Sequence, residues 1–184
     1  MKKTTLGLLA TLFTLSLVAQ KPILLEGEWQ SLKNVEIPDF EKEDDYVNLK
    51  MKEKDADNPG DGMIWKKRYF ADRDMHYEPR FEESFNKRGN EKTAKDYDNS
   101  EYVLKVHTTK LYHGWNVGVM RKAARIDATI AIYKRGEETP TFKVKYEDVK
   151  GADAMGYDFS IHTRVAEAYA KLAKSFLRDL KKKT

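Results

Sequence analysis

The chain has 184 residues, with 34 Lys and Arg against 30 Asp and Glu, a net charge of +4 and no cysteine. The missing cysteine excludes both disulfide bonds and a lipid-modified N-terminal cysteine, so packing has to hold the fold together. Because the charges are mixed in sign along the chain, the sequence disfavours the one-sided basic face of a nucleic-acid-binding protein.

The first twenty residues have the pattern of an export signal. Lys2 and Lys3 precede an uncharged, mostly apolar run over residues 6–18, and Ala19 and Gln20 end the segment. A basic start, a short apolar stretch and a small-residue cleavage site are typical of a signal peptide. The run is short for a membrane-spanning helix, which needs about 20 apolar residues, although a retained anchor is the alternative. We therefore expect cleavage after residue 19 or 20, one domain over residues 21–184, and a periplasmic or extracellular location.

The first part of that domain is predicted to contain strand, loop and helix in turn. Residues 21–42 indicate an irregular or short-strand entry, and loose alternation of apolar residues favours a strand over residues 45–53. The composition of residues 55–62 is typical of a loop. Residues 63–89 look helical, either as two helices or as one helix kinked at Pro79, with Gly89 able to end it.

The second half is predicted to be mainly strands. A polar loop at 90–100 leads to a strand at 102–111, and a wide hairpin connection occupies 112–120. Alternation then gives strands over 125–132 and 142–146, with Ile130 among the inward-facing residues.

The chain is predicted to end in an amphipathic helix. A loop at 151–156 precedes this helix, which spans 160–182 and is capped by Asp158 or Ser160. The element order is thus strand, helix, three strands and helix. It predicts an α+β fold in which a mostly antiparallel sheet of about four strands is covered by helices in a two-layer sandwich.

Several segments resemble an uncharacterised family of small exported bacterial proteins. They are the run from Tyr77 to Phe81, the run from Gly114 to Ala124, the run from Gly156 to Phe159 and the run from Arg164 to Lys171. The order of elements is also similar to that of envelope accessory proteins of the transport-auxiliary type, which are typically anchored through a lipidated cysteine that this chain lacks. Neither resemblance implies catalytic residues.

No catalytic or cofactor motif is legible. The four histidines show no zinc-binding spacing, although His107 and His113 could meet across a bent strand. The acidic run at 55–61 fails the calcium-loop pattern at its fifth and twelfth positions. Ser160 and His162 lie two residues apart on the predicted helix, so their side chains diverge, and capping explains Ser160. We therefore predict no catalytic residues, no cofactor and no metal site, which favours a non-enzymatic protein and leaves an enzyme open.

The aromatic connection after the 102–111 strand is the predicted binding site. It contains Tyr112, His113 and Trp115, and aromatic side chains in loops often serve recognition because they bury much area with few rotatable bonds. The alternative is that Trp115 packs against the sheet edge or under a helix.

Together these features predict an exported interaction or accessory module whose partner is an unidentified envelope protein or ligand. No nucleic acid and no membrane span after signal cleavage are expected. The alternatives are a carrier of a small molecule or lipid, and a hydrolase whose acidic site is assembled from distant segments.

Overall fold

A computed structural model of the protein describes residues 21–29, 32, 34–37, 40, 44–88, 92–94, 100–151 and 160–184. The predicted signal segment, the candidate caps Gly89 and Asp158, most of the polar loop at 90–100 and all but the first residue of the loop at 151–156 lie outside these ranges. Within them the chain is an α+β fold, as predicted, with helices packed on a sheet. No helix in the described part is both long and apolar enough to cross a membrane.

The main sheet has six strands, two more than predicted. They are β1 (Ile23–Glu26), β2 (Asn34–Glu36), β3 (Lys92–Ala94), β4 (Tyr102–Tyr112), β7 (Arg125–Lys134) and β8 (Pro140–Lys150). Their order across the sheet is β1-β8-β7-β4-β2-β3. The neighbouring strands β1 and β8, β8 and β7, and β7 and β4 pair antiparallel. In contrast, β2 is parallel to both of its neighbours, β4 and β3. Three strands, β1, β2 and β3, were not assigned individually from the sequence, and their three or four residues are too few for a readable period of two.

Across the residues that the structure describes, five helical segments accompany this sheet. They are α1 (Asp44–Asp57), α2 (Asp61–Asp72), the π-helical turn Arg73–Tyr77 (hereafter the π-turn), α3 (Glu78–Arg88) and α4 (Ile161–Lys183). Helix α4 packs on β7 and β8, and both α3 and the π-turn pack against α4.

The core lies between the sheet and α4. Ile130 in the middle of β7 is fully buried, and its register partners Val106 on β4 and Val144 on β8 are buried as well. Tyr169 of α4 reaches this layer, where its hydroxyl and that of Thr108 on β4 lie 2.7 Å apart in a buried hydrogen bond. A buried hydroxyl pair of this kind satisfies both groups without water.

The predicted alternation along β7 is confirmed on its inward face. On the outward face Thr129 and Ala131 are also buried. Ala131 pairs in register with Lys105 and Lys143, whose long apolar stems can cover a small neighbour while the ammonium groups stay in water.

The prediction of a strand over residues 45–53 is wrong, because these residues belong to α1. Tyr46 and Val47 are buried, whereas Leu49 is 56% exposed, so the apolar residues do not share one strand face. Two physical features favour the helix: acidic residues begin it, and Lys50 pairs with Glu53 one turn later at 2.5 Å.

The predicted helical stretch is confirmed over residues 63–88, and its distortion lies just before Pro79 rather than at it. From Asp61 to Arg88 the chain is continuously helical, with the π-turn inserted between α2 and α3. Proline removes one backbone donor and crowds the carbonyl of the preceding turn. The wider i→i+5 turn immediately upstream gives that ring room, so Pro79 occupies the first turn of α3 as predicted.

The predicted loop at 55–62 is shorter than expected. Only 58–60 lies between α1 and α2. The Asp55 carboxylate accepts hydrogen bonds from the backbone N–H groups of Gly60 and Gly62, at 3.0 and 2.8 Å. This carboxylate therefore satisfies donors at the start of α2, which agrees with an acidic turn rather than a calcium loop.

Candidate functional site

The connection that joins β4 to β7 along the chain forms a small two-stranded ribbon. It consists of β5 (Trp115–Asn116) and β6 (Arg121–Lys122), which pair antiparallel and form a sheet of their own. The turn is closed by a hydrogen bond from the Val117 N–H to the Met120 carbonyl at 3.0 Å. The Gly118 N–H adds a bond to the Asn116 side chain at 2.9 Å. The connection predicted as a wide hairpin over 112–120 therefore contains a tight, hydrogen-bonded hairpin, the ribbon of residues 115–122.

The base of the ribbon is fixed in two ways. Gly114 has a φ of +66°, and a Cβ atom there would lie 2.2 Å from the carbonyl oxygen of Lys122, so no other residue fits without moving the backbone. Arg164 of α4 is buried, and its Nε donates to the carbonyl of His113 at 3.1 Å. These contacts hold the ribbon in one direction relative to α4.

The tip of the ribbon is apolar and exposed. Val119 is 93% exposed, Val117 is 64% exposed and Met120 is 61% exposed. Single exposed apolar residues are common, but three within four positions at a protruding turn expose a compact apolar surface. Arg121 and Lys122 follow directly and are exposed as well. The tip is therefore a small apolar surface flanked on one side by positive charge.

The three residues predicted to bind a partner lie at the base of this ribbon and differ in exposure. Tyr112 ends β4 with an exposed ring, and the Lys122 ammonium lies 5.3 Å from the ring centre. Burial lowers the pKa of the half-buried His113, and the positive charge of Arg164 lowers it further. Trp115 is 39% exposed. Binding by these residues stays a prediction.

Sequence reasoning missed the residues at the ribbon tip. Val117, Val119 and Met120 are aliphatic, so a search for aromatic recognition residues passed over them. The available signal was their position: an apolar run interrupted by Gly118 inside a connection between two strands indicates a hairpin turn whose side chains face solvent.

A charged pocket of about 510 Å³ lies beside the ribbon. Two of its three acidic side chains have internal structural roles: Asp148 pairs with Arg125 at 2.9 Å, and Asp127 accepts a bond from the Asp148 N–H at 2.7 Å. Asp148 has a φ of +52°, next to the point where the β7–β8 register shifts. The carboxylates therefore stabilise a bulge in β8. The pocket is lined by Lys110, Tyr112, Lys122, Arg125, Asp127, Glu147 and Asp148.

Metal-ligating side chains converge at a different place. In the part of the chain that the structure describes, Asp72, His76 and His162 form a three-residue cluster of potential ligands. The pair suggested by sequence, His107 and His113, belongs to no such cluster. The spacing of Asp72 and His76, four residues apart on a helix, was visible in the sequence, whereas the approach of His162 depends on tertiary packing.

The capping interpretation of Ser160 is confirmed. Its backbone is extended and its hydroxyl accepts a bond from the Thr163 N–H at 3.5 Å, which is the geometry of a residue preceding a helix. The hydroxyl thus acts on the first turn of α4, and its position is that of a cap rather than of a nucleophile.

Comparisons with known proteins give only distant structural likenesses. No protein-family model matches the chain, and no curated protein matches it. Two solved structures of PelC dodecamers from Paraburkholderia phytofirmans are similar in fold outline, one of them a point variant. The native form has a TM-score of 0.39 at 11% identity, covering 84% of this chain and 97% of that one. The variant has a TM-score of 0.37 at 11% identity, covering 83% and 98%. Similarity at this level assigns neither family nor function.

Proposed function

We propose that this protein is an exported, non-enzymatic interaction module of the cell envelope, and that it docks to a partner protein through the ribbon 115–122. The observation that supports this is the exposed apolar tip on a hairpin whose base is tied to the core through Gly114 and Arg164. Export rests on the pattern of the first twenty residues.

The chemistry of the ribbon indicates the kind of partner. Val117, Val119 and Met120 would fill an apolar depression, since interface cores are built from such side chains and gain from removing them from water. Arg121 and Lys122 beside them would face acidic groups on the rim of that depression. The closed turn reduces the entropy cost of binding because the loop is already ordered. We therefore infer a folded protein with an apolar pocket bordered by Asp or Glu.

The pocket beside the ribbon gives no support to the two alternative functions. A lipid or apolar carrier needs an apolar cavity, whereas six of the seven residues that line this pocket are charged. A hydrolase needs carboxylates arranged around a substrate, whereas Asp127 and Asp148 are engaged in bonds that shape β8.

The export step has its own test. Protein isolated from the producing cell is expected to begin near Lys21, because the segment before it carries the basic start, apolar run and small-residue end of a cleavable signal. N-terminal sequencing and intact mass measure this directly. A chain that retains Met1 and sediments with the membrane fraction would contradict both cleavage and the proposed location.

Docking is tested by replacing Val119 with a photo-crosslinking amino acid in living cells. We expect one specific envelope protein to be captured, since Val119 is the most exposed apolar side chain at the tip. Val119→Asp is then expected to weaken binding of that protein at least tenfold, a change of about 1.4 kcal/mol. Its melting temperature should stay the same, because the side chain contacts solvent in the free protein.

Met63 on α2 is the matched control, because it is also apolar and 62% exposed but lies away from the ribbon. A crosslinker at Met63 should capture no specific protein, and Met63→Asp should leave partner binding unchanged. Equal capture from both positions, or no capture from Val119 in a folded, exported protein, would overturn the proposal. Binding of the ribbon to anionic lipid vesicles, lost in Val119→Asp, would do the same by showing that a membrane surface occupies the tip.

A further inference from the structure

The end of α2, the π-turn and the first turn of α4 bring three metal-ligating side chains together. Asp72, His76 and His162 each offer one ligand atom, and these atoms all lie within 4.8 Å of one another. All three residues are half-buried, so an ion could reach them from solvent and still be partly shielded. We propose that they bind a divalent transition-metal ion of the zinc type.

The packing beneath the cluster fixes the elements that carry it. Tyr77, the residue after His76, stacks on Tyr169 of α4 with ring centres 5.3 Å apart and planes 12° from parallel, and both rings are buried. This contact sets the distance between the π-turn and the start of α4. π-helical turns inside α-helices are often found at functional sites. Here the π-turn places His76 against a helix that lies far away in sequence.

The two imidazoles are close but have to turn to share an ion. Their ring centres are 4.2 Å apart and the planes differ by 13°, so they are stacked face to face. An imidazole nitrogen directs its lone pair in the plane of its ring. Two rings that are stacked with nearly parallel planes therefore cannot both direct a lone pair at the same ion. With Zn–N bonds of about 2.0–2.1 Å, ligand atoms around a tetrahedral ion lie ~3.4 Å apart. Binding therefore requires a rotation of one ring and a contraction of roughly 1 Å.

The types of ligand select the class of metal. Two imidazole nitrogens and one carboxylate suit zinc and its neighbours among the transition metals, whereas Ca²⁺ and Mg²⁺ prefer oxygen ligands. Three protein ligands leave a fourth position of a tetrahedral ion open. That position would face the shallow pocket of about 250 Å³ to which both His76 and His162 contribute.

The charges around the cluster favour a cation. Arg80 lines the same pocket, but its guanidinium is paired with Glu83 at 2.5 Å and with Glu167 at 2.8 Å. Among the residues that line this pocket, these two carboxylates outnumber the single arginine, so the lining carries a net negative charge that favours a divalent cation.

The test uses zinc chloride and protein purified without an affinity tag from the producing cell. Titration calorimetry is expected to show one zinc ion per chain, and saturating zinc should raise the melting temperature by about 5 °C, because the ion binds only where α4 and the π-turn are in place. His76→Gln and His162→Gln should each weaken zinc binding at least tenfold. His107→Gln, on β4 and outside the cluster, should bind zinc like the wild type.

A second readout reports the ligands themselves. Cobalt bound in place of zinc should give the visible absorption of a four-coordinate site, and Asp72→Asn should change that spectrum even where affinity falls only in part. No zinc uptake by the folded wild type would overturn the proposal. Wild-type affinity in both histidine variants, or an equal loss in His107→Gln, would also overturn it.

Discussion

Ile130→Asp is expected to leave the protein unfolded at room temperature. Ile130 lies in the middle of β7 with no exposed surface, between Val106 and Val144 of the neighbouring strands. A carboxylate there has no polar group opposite it and either loses its hydration or takes up a proton, and both cost several kcal/mol. The lost isoleucine packing adds to this, while a whole domain is stable by only about 5–15 kcal/mol. Circular dichroism with urea titration measures the effect.

Two control variants separate burial of charge from other effects of mutation. Lys134→Asp introduces the same group at the exposed end of the same strand and should change stability little. Ile130→Val keeps the site apolar and should cost about 0.5–1.5 kcal/mol. An unfolding curve of Ile130→Asp that matches the wild type would show that this face of β7 is not in the core.

Glu78→Ala is expected to cost about 3–5 kcal/mol of stability. Glu78 is 2% exposed, and its carboxylate lies 3.1 Å from the Arg73 guanidinium at the other side of the π-turn. The same oxygen accepts a hydrogen bond from the Phe40 N–H at 3.0 Å, so it also attaches the entry segment to the helices. Removing it leaves the buried Arg73 beside Asp74, a partner that lies 3.2 Å away but is 59% exposed. Losing the buried partner is the costly way to break a buried pair. Thermal and urea unfolding give the loss.

Glu83→Ala is the matched control, because Glu83 also pairs with an arginine but its side chain is 58% exposed. Solvent screens that pair, so the loss should be less than about 1 kcal/mol. Glu78→Gln keeps the shape and one acceptor, and its stability should lie between those of the other two variants. If Glu78→Ala were no less stable than Glu83→Ala, the buried pair would not hold the π-turn.

The sequence predicts those parts of the fold in which many residues repeat one period. β7, β8 and α4 are ten residues or longer, and each has a clear apolar face, so their type and position could be inferred. α1 could not, because it buries little beyond Tyr46 and Val47 and therefore lacks an apolar stripe. β2 and β3 have three residues each. They exist because β4 provides a parallel partner for β2 and β2 provides one for β3, which no local pattern reveals.

The residues of the candidate sites also differ in how far the sequence alone could predict them. The loop containing Tyr112 and Trp115 was identified from its composition, since aromatic residues and glycines in a connection are a local signal. Which of its side chains protrude depends on the hairpin register, and that placed Val119 rather than Trp115 at the tip. The approach of His162 to His76 depends on how α4 lies against the π-turn, so sequence spacing could not predict it.

The pairing of β1 with β8 constrains the order in which the strands of the main sheet can pair during folding. Ile23 lies opposite Lys145, so a strand near the start of the domain pairs with one near its end. During synthesis β1 emerges before the rest of the sheet and has no partner until β8 has followed. β4, β7 and β8, which are neighbours in sequence, can form their meander before that, because closing short loops costs less entropy. The apolar run from Ile23 to Leu25 therefore stays unpaired until late, and because β1 has only four residues, the edge that other chains could join meanwhile is short.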